Sequence, residues 1–184
     1  MERATIFTAG HSNRPSQDLL AMLGEAGAAR LVDVRRYPRS RFNPQFNERA
    51  LAAALRAAGI DYRHAPELGG RREAAAEPSP NDGWEPGAFR NYADYALTPA
   101  FQAALTVLEA EAAAGPVAIM CAEKDWRQCH RQIIADYLLS RGHPVVHLIE
   151  PGAREPAAPD PRLVRAGDGG LYYRAPPPAQ RELF

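Results

Sequence analysis

The sequence predicts a single three-layer α/β domain with a mostly parallel sheet of about five strands, followed by a Pro/Gly-rich C-terminal tail. Short apolar runs alternate with amphipathic helical stretches, which is typical of parallel sheets with right-handed crossovers. The length of 184 residues favours one domain with a sizeable core. Polar residues follow the apolar runs, and in such sheets ligands bind beyond the carboxyl ends of the strands.

Apolar periodicity and helix-terminating residues define the individual elements. Ser16 and Asn47 are suitable N-caps for the first two helices, and Thr98 with Pro99 suits the start of the longest one. The predicted strands are residues 5–9, 30–34, 60–64, 116–120 and 144–149. The predicted helices are residues 17–26, 48–58, 89–96, 99–114 and 127–140.

The sequence changes character after Glu150, where Pro, Gly and Ala become frequent. We therefore assign residues 1–150 to the α/β domain. Residues 151–184 are predicted to form a tail with little core of its own and with local order around Leu171-Tyr172-Tyr173.

Composition excludes some functional classes. The chain carries 22 basic and 22 acidic residues, and this zero net charge argues against a general electrostatic grip on nucleic acid. No apolar run approaches the roughly 18–20 residues needed to span a bilayer, and the N-terminus lacks a signal-peptide pattern. Two cysteines cannot build a disulfide framework, so we expect a cytoplasmic protein without a membrane partner.

Side chains that can carry chemistry follow four of the predicted strands. Because the carboxyl ends of parallel strands share one edge, we expect these residues on one rim despite their separation in sequence. The rim residues are His11, Ser12, Asn13, Arg14, Asp33, Arg35, Arg41, His64, Gly69, Gly70, Cys121, Glu123, Cys129, His130 and Arg131.

Several rim segments also match the pattern of a known family. They are Gly10-His11-Ser12-Asn13-Arg14, Leu31-Val32-Asp33-Val34-Arg35, Pro38-Arg39-Ser40-Arg41-Phe42-Asn43-Pro44, His64 through Leu68-Gly69-Gly70, Tyr92-Ala93-Asp94-Tyr95, Cys121-Ala122-Glu123 and Cys129-His130-Arg131. With these segments the chain resembles the DUF488 proteins of bacteria and archaea, a domain of unknown function, over roughly its first 150 residues. The resemblance implies an α/β fold and no established reaction.

Cys121 is a candidate nucleophile because it stands between a predicted strand and a predicted helix N-terminus. The helix dipole, with Arg127 and Arg131 nearby, is expected to lower the pKa of its thiol. The Cys-x5-Arg spacing from Cys121 to Arg127 also fits the anion cradle of cysteine phosphatases and, in looser form, of rhodaneses. Glu123 and Asp125 would repel a phosphate, however, and a buried, inert cysteine is the alternative.

The other rim residues suggest acid–base catalysis and anion binding. His11, His64 or His130 would transfer protons. Asp33 or Glu123 would orient an arginine or act as acid or base. Arginine suits bidentate anion recognition better than lysine, although structural Arg–carboxylate pairing is the alternative. The predicted substrate-binding residues are Ser12, Asn13, Arg14, Arg35, Arg41, Gly69, Gly70 and Arg131.

A metal ion is a further candidate ligand. Cys-x7-Cys-His is not a standard structural zinc spacing, so the sequence assigns no metal ligand, and hydrogen bonding within the fold is the alternative. The side chains that would suffice for zinc or iron are His11, His64, Cys121, Cys129 and His130.

The last five residues carry a separate signal. Gln180-Arg181-Glu182-Leu183-Phe184 resembles the pentapeptide by which bacterial DNA-repair and replication proteins dock on the sliding clamp. Gln180, Leu183 and Phe184 match that peptide, whereas Arg181 departs from the usual leucine. In this mode the two apolar side chains would enter a pocket on the clamp. An ordinary C-terminus is the alternative.

The leading functional hypothesis is an enzyme that acts on an anionic substrate, either a phosphorylated small molecule, a nucleotide or a nucleic acid. The reaction class stays open. One alternative is a non-catalytic DNA-maintenance module recruited to the sliding clamp by its tail. Another is a protein that binds zinc or iron.

Overall fold

The computed structural model describes residues 3–75, 77–167 and 170–175. Its α-helices are α1 (Ser16–Glu25), α2 (Glu48–Ala57), α3 (Ala88–Ala96), α4 (Pro99–Ala114) and α5 (Arg131–Ser140). Its strands are β1 (Ile6–Gly10), β2 (Arg30–Asp33), β3 (Asp61–His64), β4 (Val117–Cys121), β5 (Val145–Glu150), β6 (Ala153–Pro156), β7 (Leu163–Arg165) and β8 (Leu171–Tyr173). Short 3-10 turns occupy Pro44–Phe46, Pro66–Leu68 and Trp126–Gln128.

The main sheet has six strands in the order β3-β2-β4-β1-β5-β6, and only the β5–β6 pair is antiparallel. The chain runs from β1 out to the β3 edge and then returns to insert β4 between β2 and β1. All five residues of β4 are buried, as expected for a central strand covered on both faces. This topology confirms the predicted α/β fold with a mostly parallel sheet.

Alternate residues of the central strands pack against two opposite layers of helices. Ile119 belongs to the core formed with α3, α4 and α5, whereas Ala118 and Met120 belong to the core formed with α1 and α2. Burial of each large apolar side chain contributes about 1.5–3 kcal/mol. The helical side chains of the two cores include Phe101, Leu105, Leu108, Ile133 and Ile134 on one face and Leu19, Leu23, Leu51 and Leu55 on the other.

Two helix starts differ from the sequence prediction. Ser16 is the first residue of α1, and the N-cap position belongs to Pro15. Asn47 does occupy the N-cap position of α2, but its side-chain oxygen accepts from the Ser40 amide at 2.6 Å instead of capping the helix. The prediction for α4 is confirmed, because the Thr98 hydroxyl accepts from the amide of Phe101.

The helix predicted for residues 127–140 is shorter than expected. The carboxylate of Asp125 accepts from the Arg127 amide and begins a 3-10 turn, which ends at Cys129 in extended conformation. Helix α5 therefore begins only at Arg131. In the part of the chain that the structure describes, no helix is both long and apolar enough to cross a membrane.

The segment after Glu150 contributes more to the fold than its composition indicates. β6 extends the main sheet, and β7 and β8 form a hairpin, so the local order predicted around residues 171–173 is confirmed as a strand. Tyr173 is fully buried in the core, and its hydroxyl donates to the carboxylate of Asp136 at 2.7 Å. The same carboxylate accepts from the amide of Asp160 at 2.9 Å, which ties this segment to α5.

Burial of Asp136 predicts a pH-dependent stability. Burial raises the pKa of Asp136 from 3.8 to about 6, although the hydrogen bonds from Tyr173 and Asp160 oppose the shift. A raised carboxyl pKa means that the folded state binds the proton more tightly than the unfolded state. Its contribution to stability is therefore greatest below pH 3.8 and is lost as pH rises through about 6.

The substitution Asp136→Asn removes this titration. The free energy of unfolding of the variant, minus that of the wild type, should increase by up to about 3 kcal/mol between pH 4 and pH 7, because only the wild type loses stability as the carboxyl ionises. Urea unfolding of both proteins at several pH values measures the difference. A difference that does not change with pH would contradict the assigned shift.

Candidate functional site

The carboxyl ends of β1, β2 and β4 are joined by backbone hydrogen bonds that continue past the strands. The amide of His11 donates to the carbonyl of Cys121 at 2.9 Å, and the amide of Val34 donates to Met120 at 2.9 Å. A Cβ atom at Gly10 would lie only 1.9 Å from the carbonyl oxygen of Glu123, so this position requires glycine. The three strand ends are therefore held together at one edge of the sheet.

A cleft of about 650 Å³ opens at this edge. Its walls come from the loops after β1, β2 and β4, from Gly70 and Arg71 in the loop after β3, and from the start of α3. The strand-end rule thus locates the cleft from the sequence alone. The rim residues that line it are His11, Ser12, Asn13, Arg35, Gly70, Cys121, Glu123, Cys129 and His130.

Both cysteines, one histidine and one carboxylate converge on the floor of the cleft. The Sγ atom of Cys121 lies 2.9 Å from Oε2 of Glu123, and Sγ of Cys129 lies 3.3 Å from the same oxygen. Nδ1 of His130 lies 3.9 Å from the first sulfur and 3.7 Å from the second. The ligand atoms of Cys121, Cys129 and His130 all lie within 4.8 Å of one another, so these three side chains could hold a metal ion.

The orientation of His130 follows from its second ring nitrogen. Nε2 lies 3.0 Å from the carbonyl oxygen of Val34, and because a carbonyl only accepts, Nε2 carries the proton. In the neutral ring the Nδ1 lone pair then faces the two sulfurs. Tyr92 packs against the ring with a centroid distance of 4.8 Å. A Cβ atom at Gly70 would lie 2.8 Å from Nδ1, so only glycine leaves this nitrogen accessible.

The electrostatics of the two thiols differ from the sequence expectation. The hydrogen bond with Cys129 and burial raise the pKa of the Cys121 thiol well above its usual value. Burial alone would raise the pKa of Cys129, but the hydrogen bond with Cys121, together with His130 and Arg131, lowers it well below the usual value. The expected lowering at Cys121 is therefore wrong, and the shift belongs to Cys129.

The arginines that were expected to activate Cys121 lie elsewhere. Arg127 is at the surface, where it pairs with Glu155 at 2.6 Å and with Asp125 at 3.5 Å. Arg131 is only 1% exposed, and its Nε donates to the sulfur of Cys129 at 3.3 Å. The other hydrogen bonds of Arg131 hold the loop after β4, so this guanidinium does not line the cleft.

His11 forms part of a buried polar chain that supports the cleft. Its Nδ1 donates to the carbonyl of Ser12 at 2.8 Å, and its Nε2 accepts from Arg35 at 3.1 Å. Arg35 in turn forms a bidentate pair with Asp33, whose carboxylate also accepts from the Tyr62 hydroxyl at 2.9 Å. Both nitrogens of His11 and both oxygens of Asp33 are thus engaged, which favours a positioning role for these residues over proton transfer.

Asp33 and four further predicted residues do not line the cleft. Arg14 is buried and donates to Met22 and to the carbonyl of Ile149. His64 lies at the end of the edge strand β3 and donates to the carbonyl of Arg35 at 2.8 Å. Arg41 is exposed. The last, Gly69, packs against the backbone of Arg36.

Three arginines that the sequence analysis did not select line the cleft: Arg36, Arg39 and Arg71. Among the residues that the structure describes, none of them has an ion pair or a side-chain hydrogen bond. Among the described residues, Arg71 and Ser12 are the two non-glycine residues with positive φ, with values of 56° and 46°. Such backbone strain often accompanies functional sites. The sequence shows only that these arginines follow strand ends. It does not show which arginines lack a carboxylate partner in the fold.

The C-terminal peptide with Gln180, Leu183 and Phe184 lies outside the described residues. Docking on the sliding clamp therefore stays a prediction from the sequence.

The environment of His11 predicts a neutral ring with a defined tautomer. Burial lowers its pKa from 6.5 to about 4, and the charge of Arg35 adds to this, while the hydrogen bond to Ser12 opposes it. Long-range ¹H–¹⁵N NMR spectra should show Nδ1 protonated and Nε2 unprotonated down to about pH 5. Titration of His11 near pH 6.5, or protonation at Nε2 in the neutral form, would contradict the assigned hydrogen bonds.

Comparison with known proteins gives one match. The family model described as a domain of unknown function, DUF488, matches residues 16–138. Neither a search of curated proteins nor a search of solved structures found a match. The matched region includes α1 to α4 and most of α5, and it contains the cysteines, His130 and the three cleft arginines. The chain therefore belongs to the DUF488 family.

Proposed function

We propose that this protein is an enzyme that binds an anionic substrate in the strand-end cleft. The proposal rests on the presence in one cavity of the acid–base side chain Glu123 and of three arginines, Arg36, Arg39 and Arg71, that have no ion pair among the described residues. Anion binding alone would need only the arginines. The exposed carboxylate beside two thiols and an imidazole adds groups that can take part in a reaction.

The contrast between the arginines supports anion binding. Arg35 lies beside a carboxylate that neutralises it, and Arg131 is held by backbone carbonyls and Thr8. The three cleft arginines have no such partners among the described residues, and their charges face a shared cavity. A guanidinium offers planar, charge-assisted hydrogen bonds that match a phosphate or carboxylate.

An aromatic side chain in the same cleft favours a nucleotide or a nucleic-acid strand among anionic substrates. Tyr37 lies between Arg36 and Arg39 in the loop after β2, lines the cleft and is 63% exposed. Aromatic rings beside cationic side chains are typical of sites that stack a base and hold its phosphate, at about 1–3 kcal/mol per stacked base. The zero net charge of the chain is compatible with this, because the positive charge is local.

Glu123 is the best-placed group for proton transfer. Its carboxylate borders the cleft, whereas the nitrogens of His11 are both occupied and His64 lies outside. The cysteines are 4% and 2% exposed, and Cys121 reaches the cleft beside this carboxylate. We therefore assign Glu123 as acid or base and the cysteines as its chemical neighbours.

Neutralising the cleft arginines should abolish anion binding. In the variant R36Q/R39Q/R71Q, the dissociation constants of pyrophosphate, ATP and a short single-stranded DNA should rise by roughly 100-fold or more, because each charged hydrogen bond contributes about 1.5–3 kcal/mol. Thermal stabilisation by each probe, followed by calorimetric titration, measures the loss. The control R49Q/R56Q/R154Q has the same change in charge on exposed residues outside the cleft and should bind as the wild type does.

Equal loss in both triple variants would show that only the overall charge matters. Failure of every probe to stabilise the wild type would contradict the proposed class of substrate.

Glu123→Gln should separate binding from reaction. Removal of a general acid or base lowers turnover by about 10²–10⁴-fold, while the arginines still hold the substrate. Mass spectrometry and ³¹P NMR of mixtures with each stabilising probe detect the product. Glu85→Gln, on an exposed loop residue that does not line the cleft, serves as the control and should keep full activity. Unchanged turnover in Glu123→Gln would remove the assigned role, and no turnover by the wild type on any bound probe would sink the enzyme proposal.

A further inference from the structure

We infer that Cys121, Cys129 and His130 bind a single zinc ion at the floor of the cleft, with the fourth coordination position open to the cavity. The three side chains come from the end of β4 and from the residues just before α5. Seven residues separate Cys121 from Cys129, and His130 follows directly. Because this is not a standard zinc spacing, the sequence did not identify the site. Zinc binding and anion binding are separate properties, and either can fail without the other.

The distances within this Cys–His cluster are those of a metal site. In a tetrahedral zinc site with Zn–S near 2.3 Å and Zn–N near 2.0–2.1 Å, sulfur and nitrogen ligands are roughly 3.6 Å apart. The observed distances from His130 Nδ1 are 3.9 Å to Cys121 Sγ and 3.7 Å to Cys129 Sγ. These contacts are too long to be strong hydrogen bonds. The two nitrogen–sulfur distances need to shorten by only a few tenths of an ångström, and the two sulfurs lie within 4.8 Å of each other, against roughly 3.8 Å in such a site.

The supporting hydrogen bonds are also those of a metal site. Metal-binding histidines usually donate their other ring nitrogen to a carbonyl or carboxylate, which fixes the tautomer and the ring direction. Nε2 of His130 does this with the carbonyl of Val34 at 3.0 Å. Nε of Arg131 donates to Cys129 Sγ at 3.3 Å, which places a positive charge beside one thiolate ligand.

The donor set selects the kind of metal. Two thiolates and one imidazole suit zinc, whereas magnesium and calcium require oxygen ligands. Zinc also has no geometric preference from d-electrons and accepts the low coordination number that a nearly buried site imposes. Zinc sites with three protein ligands usually keep the fourth position for water or substrate. Here that position adjoins Glu123 and the cavity walls.

Gly70 provides a steric test of the site. A Cβ atom at this position would lie 2.8 Å from Nδ1 of His130 and 3.3 Å from Cε1. The φ of Gly70 is not in the positive range that alanine disfavours. Gly70→Ala therefore leaves the backbone unstrained and changes only the space beside the His130 ring. The imidazole must then shift from the position in which Nδ1 lies near both sulfurs.

The experiment measures zinc binding by the full chain under reducing conditions after removal of metal with a chelator. Titration of ZnCl₂ against a chromophoric competitor should give one zinc per chain for the wild type. Cys121→Ser, Cys129→Ser and His130→Gln should each weaken binding by more than the roughly 10–100-fold that loss of an outer-shell partner causes. Gly70→Ala should weaken it at least about 10-fold. The matched controls His64→Gln and Gly24→Ala should bind as the wild type does, since His64 lies outside the cleft and a Cβ at Gly24 meets no atom within 4 Å.

A second readout keeps the test decisive if a ligand variant fails to fold. Cobalt(II) added to the metal-free wild type should give the absorption of tetrahedral cobalt with thiolate ligands, and Gly70→Ala should diminish it while its melting temperature without metal stays near that of the wild type. The inference is overturned if the wild type binds no zinc and shows no cobalt–thiolate absorption. It is equally overturned if folded ligand variants bind zinc as tightly as the wild type.

Discussion

The buried guanidinium of Arg131 is the interaction on which the site depends. An arginine that is 1% exposed is costly unless its N–H groups find partners inside the protein. It donates to the carbonyl of Glu123 at 2.6 Å, to the Thr8 hydroxyl at 3.3 Å and to Cys129 Sγ at 3.3 Å. One side chain at the start of α5 thereby fixes β1, the loop after β4 and one of the two sulfurs. Its bond to the Glu123 carbonyl also holds the backbone of the residue whose carboxylate contacts both thiols.

A second buried pair does the same for the other wall of the cleft. Asp33 and Arg35 neutralise each other, and Arg35 also donates to His11 and to the carbonyl of Phe46. These contacts set the direction in which the chain leaves β2, so that the following residues, Arg36 to Arg39, line the cavity. The structure thus separates two groups of arginines. The buried arginines position the loops, and the three cleft arginines, of which Arg36 is half-buried, remain available to a ligand.

The sequence predicts the mostly parallel sheet and the edge at which the cleft lies, but not the strands after Glu150 or the roles of the individual residues. The continuous apolar run of β4 and the helical periodicity are local properties, and the strand-end rule then places the cleft. Pairing depends on distant partners: Arg14 is removed from the site by the carbonyl of Ile149, and no local pattern contains that contact. For the same reason the sequence misassigned the thiol with the lowered pKa, because the hydrogen bond with Cys121 and the positions of His130 and Arg131 beside Cys129 are set by the fold.

The charges of the floor and the walls of the cleft make sense together. Two thiolates and the carboxylate of Glu123 would place three negative charges within about 4 Å, and Arg131 supplies one positive charge to them. The zinc ion that we propose would supply the other two, so the occupied floor would be neutral and would not repel an anion. The free charges of Arg36, Arg39 and Arg71 then act on the ligand alone. Without the ion, the raised pKa of Cys121 keeps that thiol neutral, so the arginines of the walls can still attract an anion.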